Sequence, residues 1–150
     1  MAMFDPNEFA LPDAQEPYAM PDGTEAKVRI IECTVGKDKN GLTYFMPRLE
    51  ICDEPFSKDF TYFMHAPDRG MDAKRLNRVR FMISQFFEAF SIDPSRPFDH
   101  VEDWQGLESW AILGLRRDAI YGEQNYVKSW VLAPSLHSDQ GNDISDERPY

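Results

Sequence analysis

A mainly β domain with one helix is predicted by three features of the sequence. These are two hairpin-like pairs of alternating runs, one stretch of helical periodicity between them, and two ends of quite different composition. The first pair is Ala26 to Val35 and Leu42 to Ile51, joined across Lys37-Asp-Lys-Asn-Gly41. Asn-Gly between β-like runs is a strong hairpin signal, because both residues accept the positive φ of a type I′ turn. With Asn40 and Gly41 as the loop, Lys39 faces Leu42, Ile30 faces Ile51 and Glu32 faces Leu49. Val28, Phe45 and Leu49 then join Ile30 and Ile51 on an aliphatic face. Arg29, Lys37, Tyr44, Met46 and Arg48 gather on the other. Glu32 is an awkward exception on the apolar side.

Lys58 to His65 reads as a third strand, aromatic on both faces, so parity does not say which face is inside. A turn at Pro67-Asp-Arg-Gly70 follows. Asp72 can then cap a helix in which Leu76, Val79, Ile83, Phe86 and Phe90 recur at steps of three and four, with Met82 and Phe87 widening the stripe. Pro94 ends it, since the residue before a proline avoids the helical region. Glu108 to Arg117 and Asn125 to Ala133 form the second hairpin, around 118–124. Three strands, a helix and two strands is the order of a five-stranded OB-type barrel with its helix between strands 3 and 4. A ferredoxin-like fold needs a second helix, and a sandwich needs more strands.

The 150 residues suffice for one domain, and the net charge of −10 is unevenly spread. Residues 1–23 hold five acids and no cation, and residues 135–150 hold four acids against Arg148. The 24–134 domain between them has 15 basic and 17 acidic side chains, close to neutral. The division is thus an acidic, Pro-rich arm (1–23), a folded domain (24–134) and an acidic flexible tail (135–150). No apolar run reaches the roughly 18 residues of a membrane helix, and no secretory signal stands at the start. Cys33 and Cys52 sit in apolar surroundings without metal spacing, as buried thiols of a reducing compartment would. The cytoplasm is the expected location.

Parity divides the last two strands as well. Ala111, Leu113, Leu115, Val127 and Val131 suit a core, whereas Trp110, Ile112, Arg116, Tyr126, Lys128 and Trp130 fall on the second face. Rings interleaved with cations are what single-strand binders use, with bases stacking on the rings and phosphates following the charges. The expected contact residues are Arg29, Lys37, Lys39, Tyr44, Arg48, Lys58, Tyr62, Trp110, Arg116, Tyr121, Tyr126, Lys128 and Trp130. Lys37 and Lys39 flank the first hairpin turn and Tyr121 sits in the second, the two loops with which OB folds grip ligands. Against this, aromatics in strands are usually core, and outer cations are usually just solvated.

The chain ends in Asp143-Ile-Ser-Asp-Glu-Arg-Pro-Tyr150. This is similar to the tails of bacterial single-stranded DNA-binding proteins, which finish in acids followed by Pro-Phe. It also resembles phage-encoded single-stranded DNA-binding proteins, which join an OB domain to an acidic tail. The segment Gly106-Leu-Glu-Ser-Trp-Ala, with Arg117-Asp-Ala-Ile-Tyr-Gly122 and Asn125-Tyr-Val-Lys128, resembles phage replication proteins of that kind. The resemblance implies protection of single-stranded DNA in replication, recombination or repair, largely without sequence preference. It also implies that Asp146, Glu147, Pro149 and Tyr150 recruit replication or repair proteins. Arg148 among the acids and Tyr150 in place of Phe depart from the pattern. If phage-encoded, the protein would act in the host cytoplasm. RNA binding and a homodimer stay open.

No catalytic motif stands out, no cofactor or metal is called for, and the chain is not expected to be an enzyme. His65, His100 and His137 are scattered. Two rival readings are an acidic interaction module that mimics DNA, and a magnesium-dependent nuclease or accessory replication enzyme using Asp99, Glu102 and Asp103.

Overall fold

A computed structural model of the chain describes residues 3–95 and 101–132. It is mainly β, with one antiparallel sheet of six strands and one α-helix. The strands are β1 (Glu25–Lys37), β2 (Thr43–Ile51), β3 (Phe60–Thr61), β4 (Met64–His65), β5 (Glu108–Asp118) and β6 (Gly122–Val131). The helix, α1 (Ala73–Ala89), falls between β4 and β5. In the sheet the order is β3-β2-β1-β5-β6, with β4 also on β2. The sheet is open, because no ladder joins β6 to β3 or β4 among the described residues.

The predicted third strand is present as two short rungs in one register, Tyr44 and Phe45 facing His65 and Met64, Arg48 and Leu49 facing Thr61 and Phe60. Pro47 causes the gap. Its carbonyl accepts from the Tyr62 N–H at 3.0 Å, but proline has no N–H to return the bond.

The first turn differs from the expected type I′ loop. Asp38 N–H donates to the Leu42 carbonyl, Gly41 N–H donates to the Asp38 carbonyl, and the Asp38 carboxylate accepts from the Asn40 and Leu42 N–H groups. Only Gly41 has positive φ, at 82°. The aspartate side chain thus stabilises a wider turn with a glycine bulge, and Lys37 pairs with Thr43. A second irregularity, between Ile30 and Glu32, resolves the awkward acid. The extra residue reverses the alternation, so Glu32 faces outward and meets Arg48 at 3.6 Å. The core face otherwise follows the pattern, with Val28, Ile30, Leu49, Ile51, Ala111 and Leu113 buried.

Helix α1 starts as its sequence indicates, with Asp72 accepting from the Arg75 N–H at 2.8 Å. It stops where Ser91 adopts a left-handed φ of 58°. Phe86 and Phe90 enter the core with Trp104 and Trp130, while Ile83 and Phe87 pack at its margin. The amino-terminal half stands further out, and Phe81 is 62% exposed. No helix among the described residues is long and apolar enough to cross a membrane.

The seam that the sheet leaves open is filled by side chains and by the arm. Tyr62 meets Trp130 edge to face at 5.1 Å. Lys58 Nζ donates to the carbonyls of Tyr121 and Glu123 at 3.0 and 2.8 Å. Residues 18–24 run through the same region. Tyr18 bridges to Ser57, Asn125 bonds both polar backbone groups of Met20, and Gly23 and Thr24 bond Leu113.

Candidate nucleic-acid interface

The structure sorts the expected contact residues into four groups. Tyr62 and Trp130 are inside. Tyr62 stacks on Phe86 at 5.8 Å, and Trp130, only 8% exposed, packs edge-on against Phe86 and Phe90. Burial raises the Tyr62 phenol pKa. Trp130 turned inward because the β5–β6 ladder slips by one residue at Lys128, which reverses the alternation past that point. Trp130 is therefore corrected from the surface to the core, and Tyr62 to its margin.

A second group is occupied by partners. Arg29 binds Glu50 and Glu108, and these hydrogen bonds raise its pKa. Arg48 binds Asp59 at 3.3 Å as well as Glu32. Lys128 reaches Asp22 at 3.2 Å, and Lys58 is spent on the two carbonyls of the seam. Such ion pairs stabilise little at the surface, but they neutralise Arg29, Arg48 and Lys128, the cations that parity had placed on outer faces.

The third group lies on the second hairpin. Trp110 is exposed opposite Lys27 and Val131. Tyr121 is exposed in the turn, which Asp118 fastens by accepting the Ile120 and Tyr121 N–H groups; those bonds lower the Asp118 pKa. Tyr126 lies across Gly114, where a Cβ would come within 2.3 Å of the ring, and Arg116 covers it at 5.4 Å. The ring is held flat against the sheet.

Lys37, Lys39 and Tyr44 make up the fourth group. The register pairs Tyr44 with Gly36 and Lys37 with Thr43, so Lys37 is corrected to the opposite face of the sheet, and Tyr44 alone meets residues that parity did not select. Tyr44 overlies Gly36, whose missing side chain makes the room. It stacks on Phe63 at 5.0 Å, and Phe63 meets His65 edge-on at 4.9 Å. His65 Nε2 lies 3.1 Å from Asp38, which ties the turn between Lys37 and Lys39 to this cluster. The Asp38 pKa is lowered: the Leu42 N–H has the largest effect, burial opposes it, and His65 and Asn40 add to the lowering. Phe63 and His65 open onto a hollow of about 560 Å³ whose other wall is α1, with Arg75, Arg78, Phe81 and Met82. Phe63 is 43% exposed.

The charge of that wall is unusual for a helix. Lys74, Arg75, Arg78 and Arg80 fill its first half, and no acid stands in the first turn. Cations at a helix amino terminus oppose the macrodipole, at a cost of about 0.3–1 kcal/mol each near the end. None of the four makes an ion pair with a described residue. Exposed rings and unpaired cations thus converge here rather than on the outer sheet. The sequence held the signal, a run of cations without an acid before Glu88, but a strand-based parity argument passes over it.

Asp146, Glu147, Pro149 and Tyr150 lie outside the described residues, as do Asp99 and His100. Glu102 and Asp103 are exposed in a short 3-10 turn, and the described residues contain no cluster of three or more His, Cys, Asp or Glu able to hold a metal. A scan against protein-family models finds no match to this sequence, and a search of curated proteins finds none either.

Proposed function

We propose that the protein binds single-stranded nucleic acid, DNA in the first place, in the hollow between Phe63–His65 and α1. The observation that carries this reading is the meeting of Phe63 and Phe81, both exposed, with Arg75 and Arg78, neither ion-paired to a described residue, around one opening. A base stacked on an exposed ring contributes about 1–3 kcal/mol, and each phosphate met by an arginine releases counterions. Tyr44 holds Phe63 from behind. In this reading the open sheet is an OB-type barrel whose last seam is closed by Lys58, by Tyr62 against Trp130, and by residues 18–24. The hollow then lies beside strands 2 and 3 and the first loop, where OB folds take their ligands.

The test is a salt series of fluorescence anisotropy titrations with labelled oligo-dT and a matched duplex. The expected result is tighter binding of the single strand, weakening as salt rises, with little quenching of tryptophan. Trp104 and Trp130 are buried, and Trp110 stands outside the hollow. Strong quenching abolished by Trp110→Phe would move the strand to the second hairpin. Preference for duplex would overturn the reading.

A further inference from the structure

The arm ahead of Tyr18 presents a composition opposite to that of the hollow. Residues 3–16 carry Asp5, Glu8, Asp13 and Glu16 and no cation. The same segment exposes Met3, Phe4, Phe9 and Leu11, and Phe9 is 64% accessible. Its only order is local. Asp5 accepts from the Asn7 N–H, two short 3-10 turns cover Pro6–Phe9 and Leu11–Asp13, and the Phe4 and Phe9 rings stack at 5.7 Å. Four large apolar side chains in water within 9 residues, on a segment with no interior of its own, are costly unless something covers them. The hollow offers Phe63, Phe81 and Met82 for the rings, and Arg75 and Arg78 for the acids. Among the described residues, no hydrogen bond, ion pair or ring contact joins the arm to these residues, and the arm does not line the hollow. It is fixed instead at Tyr18, through Ser57 and a hydrogen bond to Glu54, beside the start of the third strand.

We infer that the occupant is a second copy of this chain: residues 3–13 of one molecule seat in the hollow of the next. Phe4 or Phe9 lies against Phe63 and Phe81, and the acids at 5 and 8 meet Arg75 and Arg78. A contact between two different surfaces of the same chain is head to tail and repeats, so copies join into open chains rather than closed pairs. Charge complementarity makes the association weaken with salt. As far as competition is concerned, the inference rests on the hollow being the strand-binding site, because a single strand must then displace the arm. The assembly itself does not depend on that reading.

The experiment is sedimentation velocity of the full chain at low salt, over a concentration series, with two double variants. Phe4→Ser with Phe9→Ser spoils the arm, and Arg75→Glu with Arg78→Glu spoils the hollow. Wild-type mass should rise with concentration, and each variant alone should remain monomeric. Mixed together they should give a 1:1 dimer and nothing larger, since only one sound arm and one sound hollow remain. Far-ultraviolet circular dichroism establishes that each variant is folded. If the arginine pair unfolds the helix, Phe81→Ser, at an exposed position, takes its place. A wild type monomeric throughout, variants that assemble alone, or a mixture that stays monomeric would each overturn the inference, the last pointing to the arm's own hollow as its seat. Adding oligo-dT then separates the two readings. Dissolved multimers support a shared site, whereas multimers that persist while the arginine variant binds oligo-dT as well as wild type leave the assembly standing and remove the proposed strand site.

Discussion

Phe63 and Trp130 are two aromatic residues of β-rich sequence with opposite assignments, and they respond to truncation in opposite ways. Phe63 stands outside on Tyr44, so Phe63→Ala should weaken oligo-dT binding by about 1–3 kcal/mol and leave the melting temperature nearly unchanged. Trp130 fills the core beside Phe86 and Phe90, so Trp130→Ala should cost about 3–5 kcal/mol of stability in urea titrations. Any loss of binding there should track unfolding. Cys33 gives a residue-scale dependence on pH. Burial pushes its thiol up from 9.0 to about 11, so the folded chain keeps a proton that the unfolded chain gives up first. The stability held by the neutral thiol is complete below pH about 9 and is lost as pH rises through about 11. Melting temperatures across that window should fall more steeply for wild type than for Cys33→Ala.

At the scale of elements, α1 carries the sharpest contrast between stability and function. Arg75 sits in the first turn, where its charge opposes the dipole that the Asp72 cap complements, and it makes no ion pair with a described residue. Arg75→Gln should therefore raise the helix's stability slightly, by up to about 1 kcal/mol, while lowering the salt slope of oligo-dT binding by about 0.7. A stability gain together with a binding loss separates a phosphate contact from a structural role. The helix was legible in the sequence from its Asp72 cap and apolar spacing, and so were both hairpins and the inner faces of β2 and β5. Alternation failed where its premise of two residues per repeat failed, past Ile30 in β1 and at Lys128 in β6. Those slips turned Glu32 out and Trp130 in, and nothing in the residue types there announces them. The third strand's ambiguity needed its neighbours to settle it: Tyr62 finds Phe86 and Trp130 inside, and Phe63 finds Tyr44 outside. The loss of four expected cations to partners was hidden for the same reason, because Arg29, Arg48, Lys58 and Lys128 each meet a group distant in sequence or across the sheet.

For the whole molecule, the decisive feature is a sheet whose seam is held by side chains instead of a ladder. Among the described residues Lys58 reaches across it to the Tyr121 and Glu123 carbonyls, so Lys58→Met should cost about 0.5–1.5 kcal/mol by removing these exposed hydrogen bonds. Hydrogen exchange should accelerate first in β6 and in residues 18–24. If exchange in β6 is unchanged, the seam does not depend on this residue. Residues 18–24 also decide how the chain tolerates cutting. Ahead of Tyr18 every residue from Met3 to Pro17 is exposed, and a protease nick or a fused tag there leaves the sheet's hydrogen bonds untouched. A few residues further on, the backbone is bonded to Leu113 and Asn125, and the Asp22 side chain holds the Leu115 N–H. The smallest fragment that keeps the fold therefore begins at Tyr18, seven residues before the first strand, and limited digestion should leave a resistant product that starts close to that tyrosine.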